Sequence, residues 1–347
     1  TANLPDPVID PAQDDVPSDY FNTVLYAGNG TGQSITGVGF QPSWTWIKSR
    51  TGTQSHFLFD EVRGAGKELN SNSTAAETTD LGLLASFDTD GFTLGSTAGT
   101  NSLNNYVAWN WLAGNGTSSN TSGSITSTVS VNQKAGFSIV SYTGTQANGT
   151  VGHGLGAAPK VVISKSRTNA NGWPTLHAPS GNYGLRLNST GANDALNGIL
   201  FFQNTAPTSS VFYVGASDEN NTSGGSMIAY CFAEVEGYSK FGSYTGNGST
   251  DGPFVYTGFR PAWVLVKKTN ATSQWLVRDS ARDTFNVVDT GLEANTSVAE
   301  FTTSAINVDF LSNGFKCRAT DNATNGSGDT YIFMAFAENP FKYANAR

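Results

Sequence analysis

Charge is scarce in this 347-residue chain. Only 13% of the residues are Asp, Glu, Lys or Arg, about half the usual share of a soluble domain. Nineteen basic residues against 27 acidic ones leave a net charge of -8. No basic stripe is available to neutralise a phosphate backbone, so nucleic acid is not an expected partner. A bilayer-crossing run of about 18 apolar residues is missing, and residues 1–17 lack the basic and apolar regions of a signal peptide. Membrane insertion is therefore not expected. The chain also starts without Met and reads as a processed product or the later part of a longer polypeptide. Cysteine is limited to Cys231 and Cys317. Both fall inside apparent strands at non-corresponding positions and read as isolated core residues rather than a disulfide. The three histidines, His56, His153 and His177, are scattered. No Gly-x-Ser-x-Gly elbow, His-Glu-x-x-His pair or P-loop is present, so neither an enzyme nor a cofactor is expected.

Glycine is what the chain has in quantity, 39 residues, together with Asn, Ser and Thr between short aromatic and β-branched runs. That composition belongs to strands and turns. The runs recur. Tyr26-Ala27-Gly28, Tyr142-Thr143-Gly144 and Tyr244-Thr245-Gly246 each precede a proline, Pro42, Pro159 or Pro261, and a lysine follows at Lys48, Lys165 or Lys267. Proline at the mouth of an apolar run marks the start of a strand, since it has no ladder donor to lose there. Segments beginning at Asn72, Asn188 and Asn295 read as capped turns or single short helices. Asp90-Gly91 and Asn313-Gly314, each flanked by apolar residues, signal hairpins with positive φ at both central positions. Each unit closes on an apolar strand ending near Trp111, Phe232 or Phe336.

The expected fold is thus all-β, with three tandem antiparallel β-sandwich, jelly-roll-like modules. The expected boundaries are an extended N-terminal tether at 1–20, repeat 1 at 21–114, a flexible linker at 115–136, repeat 2 at 137–237 and repeat 3 at 238–347.

Few residues suggest chemistry. Asp60-x-x-Arg63 and Asp279-x-x-Arg282 share a spacing that repeat 2 replaces with His177. These four are the candidate ligand-contact residues; the same spacing also suits a carboxylate and guanidinium that pin a turn. Asp88 and Asp90 begin like a calcium loop but lack its later ligands, so no metal is expected. With period two, Trp44 and Trp46 share one sheet face, as do Trp109 and Trp111. Sandwich core is the main reading and a sugar-stacking platform the lesser one. The Asn-x-Ser/Thr sites at Asn72, Asn188, Asn295 and Asn325 matter only in a eukaryotic product.

The Gly39-Phe40-Gln41-Pro42-Ser43-Trp44 and Gly258-Phe259-Arg260-Pro261-Ala262-Trp263 steps, Asp279-Ser280-Ala281-Arg282-Asp283 and the ending Phe341-Lys342-Tyr343-Ala344-Asn345-Ala346-Arg347 resemble a repeat module of marine tailed phages. That module occurs in large tail-fibre-like virion proteins, often downstream of a concanavalin-like SPRY domain. Repeat 2 departs from the pattern at Pro159-Lys160-Val161. The resemblance implies a non-enzymatic structural virion component at the virion surface, outside the cell. It would be a tail fibre or appendage whose partners are other virion proteins and a host surface glycan. A capsid decoration protein and a polysaccharide depolymerase are the alternatives. It also implies a homotrimer, and the spaced apolar residues Leu4, Val8, Ile9 and Val16 suggest that the N-terminal segment lies against a neighbouring subunit.

Overall fold

The computed structural model of the chain describes residues 6–181 and 184–344. Strands dominate it, and all the laddered pairs are antiparallel. Among the described residues no helix is long and apolar enough to cross a membrane.

Three large sheets follow one another along the chain and share a four-strand plan. In the first, Phe21–Ala27 pairs with the closing strand Asn105–Trp111, which pairs with Trp44–Ser49, then His56–Asp60. The second repeats this with Phe137–Thr143, Ser226–Phe232, Val161–Ser166 and Pro174–His177, and the third with Ser239–Thr245, Thr330–Pro340, Phe259–Lys268 and Trp275–Asp279. A small sheet covers one face of each: Gln33–Ile35 with Gly91–Leu94 and Ser86–Asp88, then Gly149–Gly152 with Val211–Val214, then Phe254–Tyr256 with Gly314–Cys317 and Val308–Leu311. Each such sandwich encloses its own core, as with Ile35, Ile47, Phe59, Phe92 and Ala108 in the first.

The opposite faces of the three large sheets meet one another. One cluster gathers Trp44, Trp46, Trp109 and Trp111 from the first sheet, Ile139, Ile163, Trp173 and Tyr230 from the second, and Trp263, Trp275, Met334 and Phe336 from the third. All seven tryptophans lie in it. This is why strands such as Trp44–Ser49 and Val161–Ser166 are buried at every residue: one face lies in the sandwich and the other in the common core. The Trp pairs do share a face, as period two requires. That face belongs to the core between sheets rather than to a single sandwich.

Three expectations need correction. Residues 115–136 are not a linker, because Ser118–Asn120 and Ser127–Asn132 extend the second large sheet. Gly114 N donates to Ser130 Oγ, and Ser130 Oγ donates to Glu61, which ties this stretch to the first unit. The N-terminal segment lies on its own chain: Ile9 is fully buried in the common core, Tyr343 Oη donates to Asp10 at 2.7 Å, and Lys134 pairs with Asp15 at 2.7 Å. Val8 is exposed. Leu4 and residues 345–347 fall outside the described residues. The segments from Asn72, Asn188 and Asn295 form turns, the first of the two forms expected of them. Finally, the hairpins place Thr89-Asp90 and Ser312-Asn313 in the loop, with Asp88 opposite Gly91 and Leu311 opposite Gly314. The glycines are the first residues of the returning strands. They are required by close approach: a Cβ would stand 2.0 Å from Ile35 O at Gly91 and 2.1 Å from Val255 O at Gly314.

Candidate functional site

Asp60 and Arg63 follow the edge of the first large sheet, and Asp279 and Arg282 take the same place in the third. In each pair the carboxylate accepts from the arginine twice. Arg63 N donates to Asp60 Oδ1 at 2.9 Å and Arg63 Nε to Oδ2; Arg282 N and Nε donate to Asp279 at 2.9 and 2.6 Å. The remaining guanidinium nitrogens serve carbonyls and a glutamate: Leu58 O, Lys67 O and Glu77 for Arg63, Val277 O and Glu300 for Arg282. All four side chains are fully buried. The geometry joins each pair into a turn clamp and holds it away from solvent.

Each clamp also reaches the next sheet. Tyr230 Oη donates to Asp60 Oδ2 at 2.7 Å, and Trp109 Nε1 donates to Asp279 Oδ2 at 3.0 Å. His177, which occupies the aspartate's place in the second sheet, instead gives its Nε2 hydrogen bond to Phe333 O at 3.3 Å. The first sheet thus contacts the second, the second the third, and the third the first.

The same cyclic order recurs in a second set of joints, built by the loops that begin near Asn70, Arg186 and Glu293. Trp173 Nε1 donates to Asn70 O at 2.9 Å and Trp275 Nε1 to Arg186 O at 3.0 Å. His56 takes the corresponding place: its Nδ1 accepts from Trp46 Nε1 at 2.8 Å, which puts its proton on Nε2, 3.0 Å from Glu293 O. One residue type then crosses every joint. Lys165 Nζ donates to Thr74 O, Lys267 Nζ to Thr190 O and Lys48 Nζ to Ser297 O, at 3.1, 3.1 and 3.3 Å. At the rim, Arg167 forms a two-pronged pair with Glu77, as does Arg50 with Glu300, all at 2.8 to 2.9 Å. At the corresponding place in the third joint, Asn193 N donates to Thr269 O at 2.8 Å.

Burial sets the protonation of these groups. It pulls Lys48, Lys165 and Lys267 from 10.5 to about 8. It lowers His177 to about 4 and pushes His56 well below its ordinary value, so both are neutral at pH 7. Desolvation also raises both free thiols, Cys231 and Cys317, which are buried.

Turn chemistry uses the other candidates. Asp90 accepts from Gly37 N and Gly39 N at 3.1 and 2.6 Å, and Asp88 from Ser86 and Thr93. Asn72, Asn188 and Asn295 accept from the backbone N of His56, Trp173 and Trp275 and so anchor the joint loops. Asn325 is fully buried and orders the Tyr244-Thr245-Gly246 turn: it accepts from Asn247 N and donates to Ser249 O. Asn101 and Asn221 act in the same way at the first two turns. Sequence reading named Asn325 only as an Asn-x-Ser/Thr site and missed Asn101, Asn221 and the rim arginines. Their only trace is position, Arg50 and Arg167 each standing two residues after a joint lysine.

No curated protein and no solved structure matches the chain. One family model does, and it runs over residues 16–340, across all three large sheets and the joints between them. By that match the chain belongs to the family described as Domain of unknown function (DUF7483).

Proposed function

We propose that this chain is a non-enzymatic structural component of a tailed-phage virion, a tail fibre or surface appendage that presents loops for attachment to host glycans. The observation that carries the reading is the common core, in which all seven tryptophans are enclosed by three joints arranged in a ring. The buried polar side chains Asp60, Arg63, Lys165, Asp279 and Arg282 serve that ring, as a rigid scaffold requires. Turns ordered by Asn101, Asn221 and Asn325 are held in one shape at its surface, and a preformed loop loses less entropy on binding. The likeness to phage repeat modules supplies the setting, with other virion proteins as partners and a homotrimer as the assembly state.

Imaging purified virions with a gold-labelled antibody tests the reading. Label on tail fibres or appendages is expected. Label confined to the head faces would replace it with a capsid decoration role, and shortened host polysaccharide after incubation with the pure chain would replace it with a depolymerase.

A further inference from the structure

Because the chain contains the same fold plan three times, each repeat serves as a control for the others. A residue that one repeat carries and the others lack is not needed to make the sandwich. The edge strand of the small sheets shows the clearest such difference. In the third repeat it is Phe254–Tyr256, with Val255 inward opposite Phe315 and both aromatic rings outward. Phe254 is 45% and Tyr256 59% exposed. The inward partners elsewhere are Ile35, opposite Phe92, and Val151, opposite Phe212. Counted from them, the outward positions hold exposed Ser34 and Thr36 in the first repeat, and Thr150 and Gly152 in the second, where Gly152 is buried against Asn120. Two exposed rings therefore stand where the fold accepts Ser, Thr or Gly. Water-exposed aromatic area is unfavourable unless something covers it.

Tyr256 also borders a cleft of about 320 Å³ between this strand, the Glu234-to-Ser239 turn and the C-terminal segment. That volume is at the small end of ligand pockets. Two glycines keep it open. Gly258 lies beside the Tyr256 ring at φ +85°, and a Cβ on Gly237 would stand 2.9 Å from Pro7. The charged groups at the cleft largely cancel: Lys240 pairs with Glu234 at 2.6 Å and Lys342 with Asp6. Among the described residues, Glu236 is exposed and its carboxylate makes no hydrogen bond or ion pair.

We infer that this strand and cleft form a binding site for an uncharged saccharide. Its rings would take the apolar C–H faces of successive sugars, Tyr256 at the cleft and Phe254 beyond it, about 7 Å apart as alternate strand residues are. Glu236 is placed to accept sugar hydroxyls, and internal pairing of the other charges leaves no demand for a charged ligand. The inference rests on the attachment half of the proposed function and gives it a location.

The test applies the fluorescently labelled full chain to an array of uncharged glucose, galactose and N-acetylglucosamine oligosaccharides alongside sialylated and sulfated ones. The comparison is the variant Phe254→Ser with Tyr256→Thr, which installs the first repeat's residues. Uncharged spots should bind the parent chain, the double variant should bind them about tenfold more weakly, and both should melt at the same temperature. Binding of anionic spots alone, no binding at all, or an unchanged pattern in a variant that melts normally overturns the inference. The virion reading is judged separately by antibody imaging. Fibre label without sugar binding loses this site only, and sugar binding without virion label loses the setting only.

Discussion

A lysine in a dry joint is an unusual fastener, because its charge is costly to bury and its three donors must all be used. Lys165 meets that condition with the carbonyls of Thr74, Asn169 and Asn171, at 2.9 to 3.3 Å. Depressing Lys48, Lys165 and Lys267 to about 8 has a definite sign. Between that value and 10.5 the unfolded chain holds protons that the folded chain releases, so stability rises with pH across the window. The buried phenols of Tyr26, Tyr142 and Tyr244 are raised above 10 by desolvation, so their contribution is lost once the unfolded phenols ionise, from about pH 10 upward. Urea titrations from pH 7.5 to 9.5 should therefore show stability climbing by on the order of 1 kcal/mol per lysine. Lys165→Met should make that climb shallower, and a flat profile in the parent chain would contradict the depressed values. The arginines predict a contrast. Arg63→Leu strands the buried Asp60 carboxylate and should cost about 3 to 5 kcal/mol. Arg167→Leu, at a partly exposed pair with Glu77, should cost about 1 kcal/mol. Equal losses in denaturant melts would show that Arg63 is not the anchor its geometry indicates.

At the scale of elements, much of the strand content was legible and the partners were not. The run from Trp44 to Ile47 and the proline ahead of it announce a strand, since period, β-propensity and the missing donor all act locally. The face each strand buries could be assigned only in pairs. Burial on both sides depends on sheets more than a hundred residues away. The stretch 115–136 was misread for a related reason: Ser, Thr and Asn suit a linker, but Ser118–Asn120 and Ser127–Asn132 become strands by pairing with each other and with Phe137–Thr143. The Asp-x-x-Arg spacing was visible, whereas Tyr230 and Trp109 as its distant partners left no local mark. Positive φ was expected at both hairpin glycines and holds at Gly91 alone, at +145°; close approach holds at both and gives a sharper prediction. Gly91→Ala forces a methyl toward Ile35 O, 2.0 Å from its ideal position, and should destabilise by about 1 to 3 kcal/mol. Gly30→Ala meets nothing within 4 Å and should cost about 1 kcal/mol or less, from its positive φ alone. Thermal melts of both variants check the difference.

For the whole molecule, the common core implies one cooperative unit. Calorimetry should give a single transition whose van't Hoff and calorimetric enthalpies agree, with tryptophan fluorescence shifting at the same midpoint. Three separable transitions would mean that the sandwiches are independent. Ile9, fully buried where the N-terminal segment enters the core, belongs to the same unit. Ile9→Ala should lower that single midpoint with a loss of about 2 to 5 kcal/mol, without splitting the transition.

The cyclic order of the joints has a consequence for concentration. In a ring of separate subunits, every contact of the kind made by Lys165 on Thr74 is a second-order event and weakens as the sample is diluted. Here the three partners are covalently consecutive, so each meets the next at an effective concentration fixed by the chain itself. A particle carrying a single copy would hold a complete ring, and dilution that separates the proposed homotrimer should leave the emission maximum of the enclosed tryptophans unchanged.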